Sequence, residues 1–235
     1  MEGTHSDKKE GEAGTVTASK VVYTAIFGDR DLLRDPDPPN DGVDYVCFTD
    51  NPDRLQVRVW QLVPVLRRRA DPVREARWFK TTPHALFPEH EISLWVDANF
   101  AIVGDVSSLM ERESAGHSLA AFRHPDRICL YREAELCALF RLDDPSVIRR
   151  QTEHYRLLGY PENNGLIMAS ILLRRHNDPF VASCMNQWWA EISRFSRRDQ
   201  LSFNYVAWRN GLSYRLFDEP ILAHPNFRFR GHGEP

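Results

Sequence analysis

Short apolar runs, each closed by a turn signal, recur along this chain between stretches of helical spacing, and that alternation narrows the fold most. Residues 20–27 (KVVYTAIF) are β-branched and aromatic and stop at Gly28-Asp29, which reads as a buried strand entering a loop. Residues 44–49 (DYVCFT) stop at Asp50-Asn51-Pro52, and residues 56–63 (QVRVWQLV) alternate as a third strand would. Further strands are expected up to Asp97, over 119–122 and over 165–174 (GLIMASILLR). A helix is expected over 72–86, with Asp71 as its cap and Pro72 at the first helical position. Asp105 caps a short helix, and 130–158 read as mostly helical with a break at Asp143-Asp144-Pro145. Helices are also expected over 179–192 and 199–210, and the tail from Leu212 is extended and loop-rich.

Strands alternating with helices imply an α/β fold, a mixed and mostly parallel sheet with helices on both faces. A chain of 235 residues accommodates this as a single domain over 20–235. Ligands of such sheets bind outside the carboxyl ends of the strands, where Asp50, Asp97 and the loop after Phe27 would gather. Residues 1–19 are polar, lack the apolar stretch of a secretory signal, and read as a flexible tail.

The charge balance removes some classes of function. Thirty Lys and Arg against 33 Asp and Glu give a formal net charge of −3 in mixed stretches, so no nucleic-acid partner is expected and phosphate recognition must be local. Cys47, Cys129, Cys137 and Cys184 stand far apart, without C-x-x-C or zinc spacing, which fits a reduced, cytoplasmic protein. No apolar run reaches the length of a transmembrane segment; the best, residues 166–173, is strand-sized.

Three groups of residues carry candidate chemistry. Asp97 and Asn99 close an apolar strand, and strand alternation puts both on one face with Ala98 leaving room between them. Such oxygens suit a hard cation, Mn2+ or Mg2+, although either residue also serves simply to end a strand or make a turn. Arg74, Arg77 and Lys80 recur every third residue and form a basic ridge that could hold phosphate oxygens or face solvent. Ser196 and Asp199 are spaced as a helix cap with an acidic partner, while Asp199, Gln200 and Asn204 could equally address a bound sugar. The Trp188-Trp189 pair reads as core rather than a sugar platform. A histidine of the tail, His232 in its Gly-His-Gly context or else His224, could fold back to complete a cation site.

Taken in order, several of these stretches resemble the GT-A glycosyltransferase superfamily. They are most similar to the glycosyltransferase-like family named after plant turgor-regulation and seed-mucilage proteins, which has bacterial members. The likeness rests on Tyr23-Thr24-Ala25-Ile26-Phe27-Gly28, Cys47-Phe48-Thr49-Asp50, REARWFK from Arg74 to Lys80, Pro83-His84, Leu94-Trp95-Val96-Asp97-Ala98-Asn99 and Arg197-Arg198-Asp199-Gln200. It spans most of the chain from residue 20 to 209. The resemblance implies a GT-A-like (Rossmann-like) fold in which Thr24, Ala25, Phe27 and Asp50 grip the nucleotide; Arg74 of the basic ridge joins them as a candidate cofactor-binding residue. Asp97 matches the first acid of an Asp-x-Asp metal motif, Asn99 replaces the second, and His232 stands in for a C-terminal metal-binding histidine. Asp199-Gln200 matches the pair that holds the donor sugar in glycogenin-like retaining enzymes.

The implied reaction moves a sugar from a nucleotide-diphosphate donor, a UDP-sugar by likeness, to an unidentified glycan, lipid or small-molecule acceptor. Arg77, Lys80 and the cation would stabilise the leaving diphosphate. Asp199 is the candidate base if configuration inverts, and no strong base is needed if it is retained. Two rivals remain, a non-catalytic nucleotide-sugar-binding module and a metal-dependent lipid amide hydrolase. The hydrolase would need a ligand cluster such as H-x-H or H-E-x-x-H, which the chain lacks.

Overall fold

The computed structural model describes residues 19–28 and 31–231. Its main sheet has seven strands in the order β3-β2-β1-β4-β7-β6-β8, with β1 Lys20–Ile26, β2 Val43–Thr49, β3 Gln61–Pro64, β4 Ile92–Val96, β6 Leu119–Arg123, β7 Ile167–Arg174 and β8 Arg215–Leu216. The β1–β2, β2–β3, β1–β4 and β6–β8 pairs are parallel, whereas β7 runs antiparallel to both β4 and β6. The expected mixed, mostly parallel sheet flanked by helices is therefore the one observed.

Strand alternation sorts the side chains into two apolar layers. Tyr23, Trp95, Ala121 and Leu172 point into one, together with Trp188 and Phe203 of the helices over that face. Val22, Leu94, Phe122 and Leu173 point into the other, against Leu109 and Met110. The first layer is covered by α1 Pro72–Thr81, α6 Pro179–Arg194 and α7 Gln200–Asn210, the second by α3 Val106–Ser114.

Some expectations shift at element ends. The helix expected over 72–86 is two helices, α1 and the short α2 Pro83–Leu86, because Pro83 has no N–H to continue the ladder and the Thr81 and Thr82 hydroxyls donate back to Arg77 and Trp78 carbonyls at 2.9 and 2.7 Å. Asp71 caps α1 as expected, accepting from the Val73 N–H at 2.9 Å. The third strand keeps only the end of its expected span. Within 130–158 lie α4 Leu130–Leu139 and α5 Pro145–Leu157. A second sheet was not legible in the chain: β5 Phe100–Ile102 pairs antiparallel with β9 Phe227–Phe229, which folds the C-terminal segment back beside Asp97 and Asn99. The expected tail over 1–19 lies, except for Ser19, outside the described residues.

Candidate active site

The carboxyl ends of the parallel neighbours β1 and β4 open onto a cavity of about 580 Å³. Among the described residues its lining comes from Phe27 after β1, from Asp97, Ala98 and Asn99 after β4, and from Pro72, Val73, Ala76 and Arg77 on α1. The α4–α5 loop adds Arg141 and Leu142, and the α6–α7 loop adds Arg197 and Arg198. Asp31 and Trp95 complete it.

Asp97 reaches the cavity by a turn and not by strand alternation. β4 ends at Val96, the Asp97 N–H still donates to the Ser170 carbonyl of β7 at 2.8 Å, and the Asp97 carbonyl then accepts from Phe100 at 2.9 Å. One carboxylate oxygen, Oδ1, takes three contacts: the Trp95 indole N–H at 2.7 Å, Lys80 Nζ at 3.4 Å and Arg77 Nη1 at 3.5 Å.

Behind it, Lys80 Nζ is 2.6 Å from Asp199 Oδ2 and Arg77 Nε is 3.4 Å from the same oxygen. Two aspartates and two basic side chains thus form a closed, charge-balanced quartet between α1, β4 and the start of α7. Burial alone would raise the Asp199 carboxyl, but the adjoining Arg77 and Lys80 outweigh it and hold it well below the usual carboxylate range. Burial would likewise lower Arg77, and the two aspartates reverse that. Lys80, wholly enclosed, is pulled below its ordinary value by burial against the same two carboxylates.

Asp199 is fixed from its backbone too, since the Trp188 indole N–H donates to its carbonyl at 3.0 Å. Of the tryptophan pair, Trp188 is therefore core with a positioning contact, while Trp189 stacks with Arg69 at 4.7 Å. Lys80 is fixed in the same manner: the buried Tyr23 hydroxyl and Arg174 Nη1 donate to its carbonyl at 3.1 and 2.6 Å.

Other expected site residues serve the scaffold. Arg74 leaves the ridge; its guanidinium donates to the Ile192 carbonyl and, at 2.7 Å, to the Phe195 carbonyl, capping the end of α6. It does not line the cavity, because at this point of α1 the neighbouring surface is a helix C-terminus with orphan carbonyls. Asp50 accepts from the Gly28 N–H at 3.1 Å and pairs with Arg67 at 2.9 Å, so it shapes the loop after β1 from outside the cavity. Gly28 sits at φ 73°, where a side chain is strained, and an added Cβ would meet Pro72 at 3.9 Å. Of the nucleotide-gripping set Phe27 lines the cavity; Thr24 and Ala25 are buried in β1, with Thr24 Oγ1 lacking a hydrogen-bond partner.

Gln200 is buried against β7, its amide donating to the Ile167 carbonyl at 3.3 Å, and Asn204 bonds the Ile167 N–H and the Tyr214 hydroxyl. Ser196 does not cap α7. Its hydroxyl donates to Asp143 at 2.7 Å and accepts from the Arg198 N–H at 3.1 Å, tying the loop before α7 to the α4–α5 loop.

A divalent cation at Asp97, Asn99 and His232 meets this arrangement poorly. Asn99 Oδ1 is buried without a hydrogen-bond partner and is a fitting ligand atom. Asp97, however, is already neutralised by two fixed basic groups that would repel a second positive charge, and no group of three His, Cys, Asp or Glu gathers among the described residues. His224 lies elsewhere, enclosed between Phe122 and Phe227, and His232 falls outside the described residues. Among the described residues, Asp97 and Asn99 alone do not make up the donor set of a resident divalent cation.

Sequence reading missed Arg141, which carries no motif, and left Arg198 unassigned although it adjoins Asp199.

A cavity lined by four arginines at the carboxyl edge of a mixed α/β sheet, backed by a buried carboxylate held between two basic side chains, is the candidate site of an α/β protein. The chain belongs to the TOD1/MUCI70 glycosyltransferase-like domain family, whose model matches residues 2–219. It is 28% identical over 163 residues to a protein of Arabidopsis thaliana described as probable hexosyltransferase MUCI70, covering 64% of this chain and 28% of that protein. It is 26% identical over 225 residues to alkaline ceramidase TOD1 of the same plant, covering 79% of this chain and 47% of the relative. The matched stretch thus spans less than half the length of both curated relatives. Among solved structures it is similar to mouse xyloside xylosyltransferase 1, with 9% identity, TM-score 0.46 and coverage of 86% and 85% of the two chains. It is also similar to the bifunctional glycosyltransferase WbbM, with 13% identity, TM-score 0.48 and coverage of 88% and 40%. Among the described residues no helix is long and apolar enough to cross a membrane.

Proposed function

We propose that this chain transfers a sugar from a nucleoside-diphosphate donor, UDP-linked by family likeness, to an acceptor hydroxyl with retention of configuration. The observation that carries this reading is the Arg77–Lys80–Asp97–Asp199 quartet beneath a cavity of nucleotide-sugar size. In the reaction the bond between the anomeric carbon and the β-phosphate oxygen breaks, its electrons pass to the diphosphate, and the acceptor oxygen bonds the same carbon. Arg77, fixed by both aspartates, presents a guanidinium where charge develops on the leaving oxygen. Asn99 Oδ1, free of a protein donor, can accept from a donor hydroxyl.

Retention is supported by the state of Asp199. A carboxylate enclosed by Lys80 and Arg77 and held far below the usual range is too weakly basic to take the acceptor proton. The proton then goes to the departing phosphate, which balances the reaction without a protein base. Asp199 thereby orients Lys80 and Arg77 and stays ionised.

The lipid amide hydrolase suggested by the ceramidase relative would need a metal-activated water. No group of three metal-binding side chains comes together for it among the described residues. Incubation with a panel of nucleotide sugars and of glycan and lipid acceptors, with nucleotide release and the anomeric signal of the product followed by NMR, tests the proposal. A product of retained configuration is expected. Binding without turnover across the panel, or amide hydrolysis unaffected by nucleotides, would overturn it.

A further inference from the structure

We infer that the diphosphate of the donor is neutralised by Arg141 and Arg198, and that its binding needs no divalent cation; this rests on the nucleotide-sugar reading above. Four arginines, Arg77, Arg141, Arg197 and Arg198, face two aspartates, Asp31 and Asp97, around the cavity. Their engagements differ. Arg77 is held by Asp97 and Asp199, and Arg197 by Asp71 at 3.3 Å and Asp143 at 3.7 Å.

Among the described residues neither Arg141 nor Arg198 has an ion pair within 4.0 Å; Arg198 has Asp199 and the Cys137 thiol as electrostatic neighbours, and its Nε is buried without a hydrogen-bond partner. An enclosed guanidinium nitrogen without an acceptor is costly unless a ligand oxygen supplies one. Two guanidiniums from separate loops, one before α5 and one before α7, can each fork onto a phosphate group. This places two positive charges on the ligand's side of the quartet, the charge a divalent cation would otherwise bring. The quartet itself is already balanced, so a further cation at Asp97 would upset it, and the neutral Asn99 in place of a second acid follows from the same electrostatics.

The backbone at Arg141 is set by the end of α4. Arg141 sits at φ 51°, in the left-handed region, and its N–H donates to the Ala138 carbonyl at 3.2 Å as α4 ends. The adjoining Asp143 accepts from the Ser196 hydroxyl and the Arg197 N–H, at 2.7 and 2.8 Å, which locks the two arginine-bearing loops together.

Isothermal titration of the full chain with UDP, and with GDP as the alternative base, in chelator and then with manganese, tests this directly. The expected result is affinity in chelator within about threefold of that in manganese, with a steep loss on adding salt. Arg198→Gln and Arg141→Asn, the latter chosen because asparagine tolerates the left-handed backbone, should each weaken binding by about tenfold or more while leaving uridine binding and the melting temperature in place. Diphosphate binding that appears only with manganese, or that survives both substitutions unchanged, overturns the inference while leaving the nucleotide-sugar reading standing. Absence of diphosphate binding in both conditions overturns both.

Discussion

Lys80 Nζ lies 2.6 Å from Asp199 Oδ2, and neither residue is more than 2% exposed. Between them they join α1 to the start of α7 under the cavity floor. Removing one partner strands the other charge in the interior, so Lys80→Met and Asp199→Asn should each destabilise the fold by about 3 kcal/mol. The double variant should lose clearly less than the two losses combined, by 1 kcal/mol or so, in a double-mutant cycle by urea unfolding. Strict additivity would show that the pair is not energetically coupled.

Asp97 stands differently, at the cavity wall and 20% exposed, so its substitution should separate function from stability. Asp97→Asn keeps an oxygen for the Trp95 indole but no longer holds Arg77 and Lys80 by charge. Turnover should fall by about a hundredfold, as for loss of one oriented electrostatic contact, while the melting temperature moves by only a few degrees. Steady-state assay alongside calorimetry checks both.

Arg74 and Arg77, one helical turn apart, should part company in the same assays. Arg74→Met removes donors from the last carbonyls of α6 and should cost about 1 kcal/mol of stability with activity retained. Arg77→Met should depress turnover far more than Arg74→Met does. Equal losses of activity would return Arg74 to the site.

His176 gives a pH signature. It is fully enclosed, its Nε2–H donates to the Phe87 carbonyl at 2.8 Å, and burial pushes its pKa from the ordinary value near 6.5 down to about 4. The unfolded chain therefore takes up a proton below pH 6.5 that the native chain refuses, so stability declines as pH falls from about 6.5 to about 4 and this contribution is then exhausted. The share of His176 in that decline is about 3 kcal/mol. His176→Gln, which keeps a donor for Phe87, should flatten the profile over this window in denaturant titrations; an unchanged slope would show that the loss arises at other groups.

The amino-acid sequence by itself determined the layers and the polarity of the sheet's edge. β-Branched runs such as residues 20–26 and the capped start of α1 at Asp71-Pro72 are local choices, set by side-chain shape and by one hydrogen bond within three residues. The same local signal placed Asp97 at a strand end, and the helical period of three put Arg77 and Lys80 together. Tertiary structure decided what those residues do. Whether Arg74 meets a phosphate or the orphan carbonyls of α6 depends on which helix packs beside α1, some 120 positions along the chain. Whether Asp199 is a base or a fixed anion depends on two basic side chains arriving from α1, more than a hundred positions earlier in the chain. Arg141, alone in a loop between helices, acquired its place only when Asp143 tied that loop to the residues before α7. Propensity and capping act over a few residues, whereas charge neutralisation and burial depend on through-space neighbours that a linear sequence does not order.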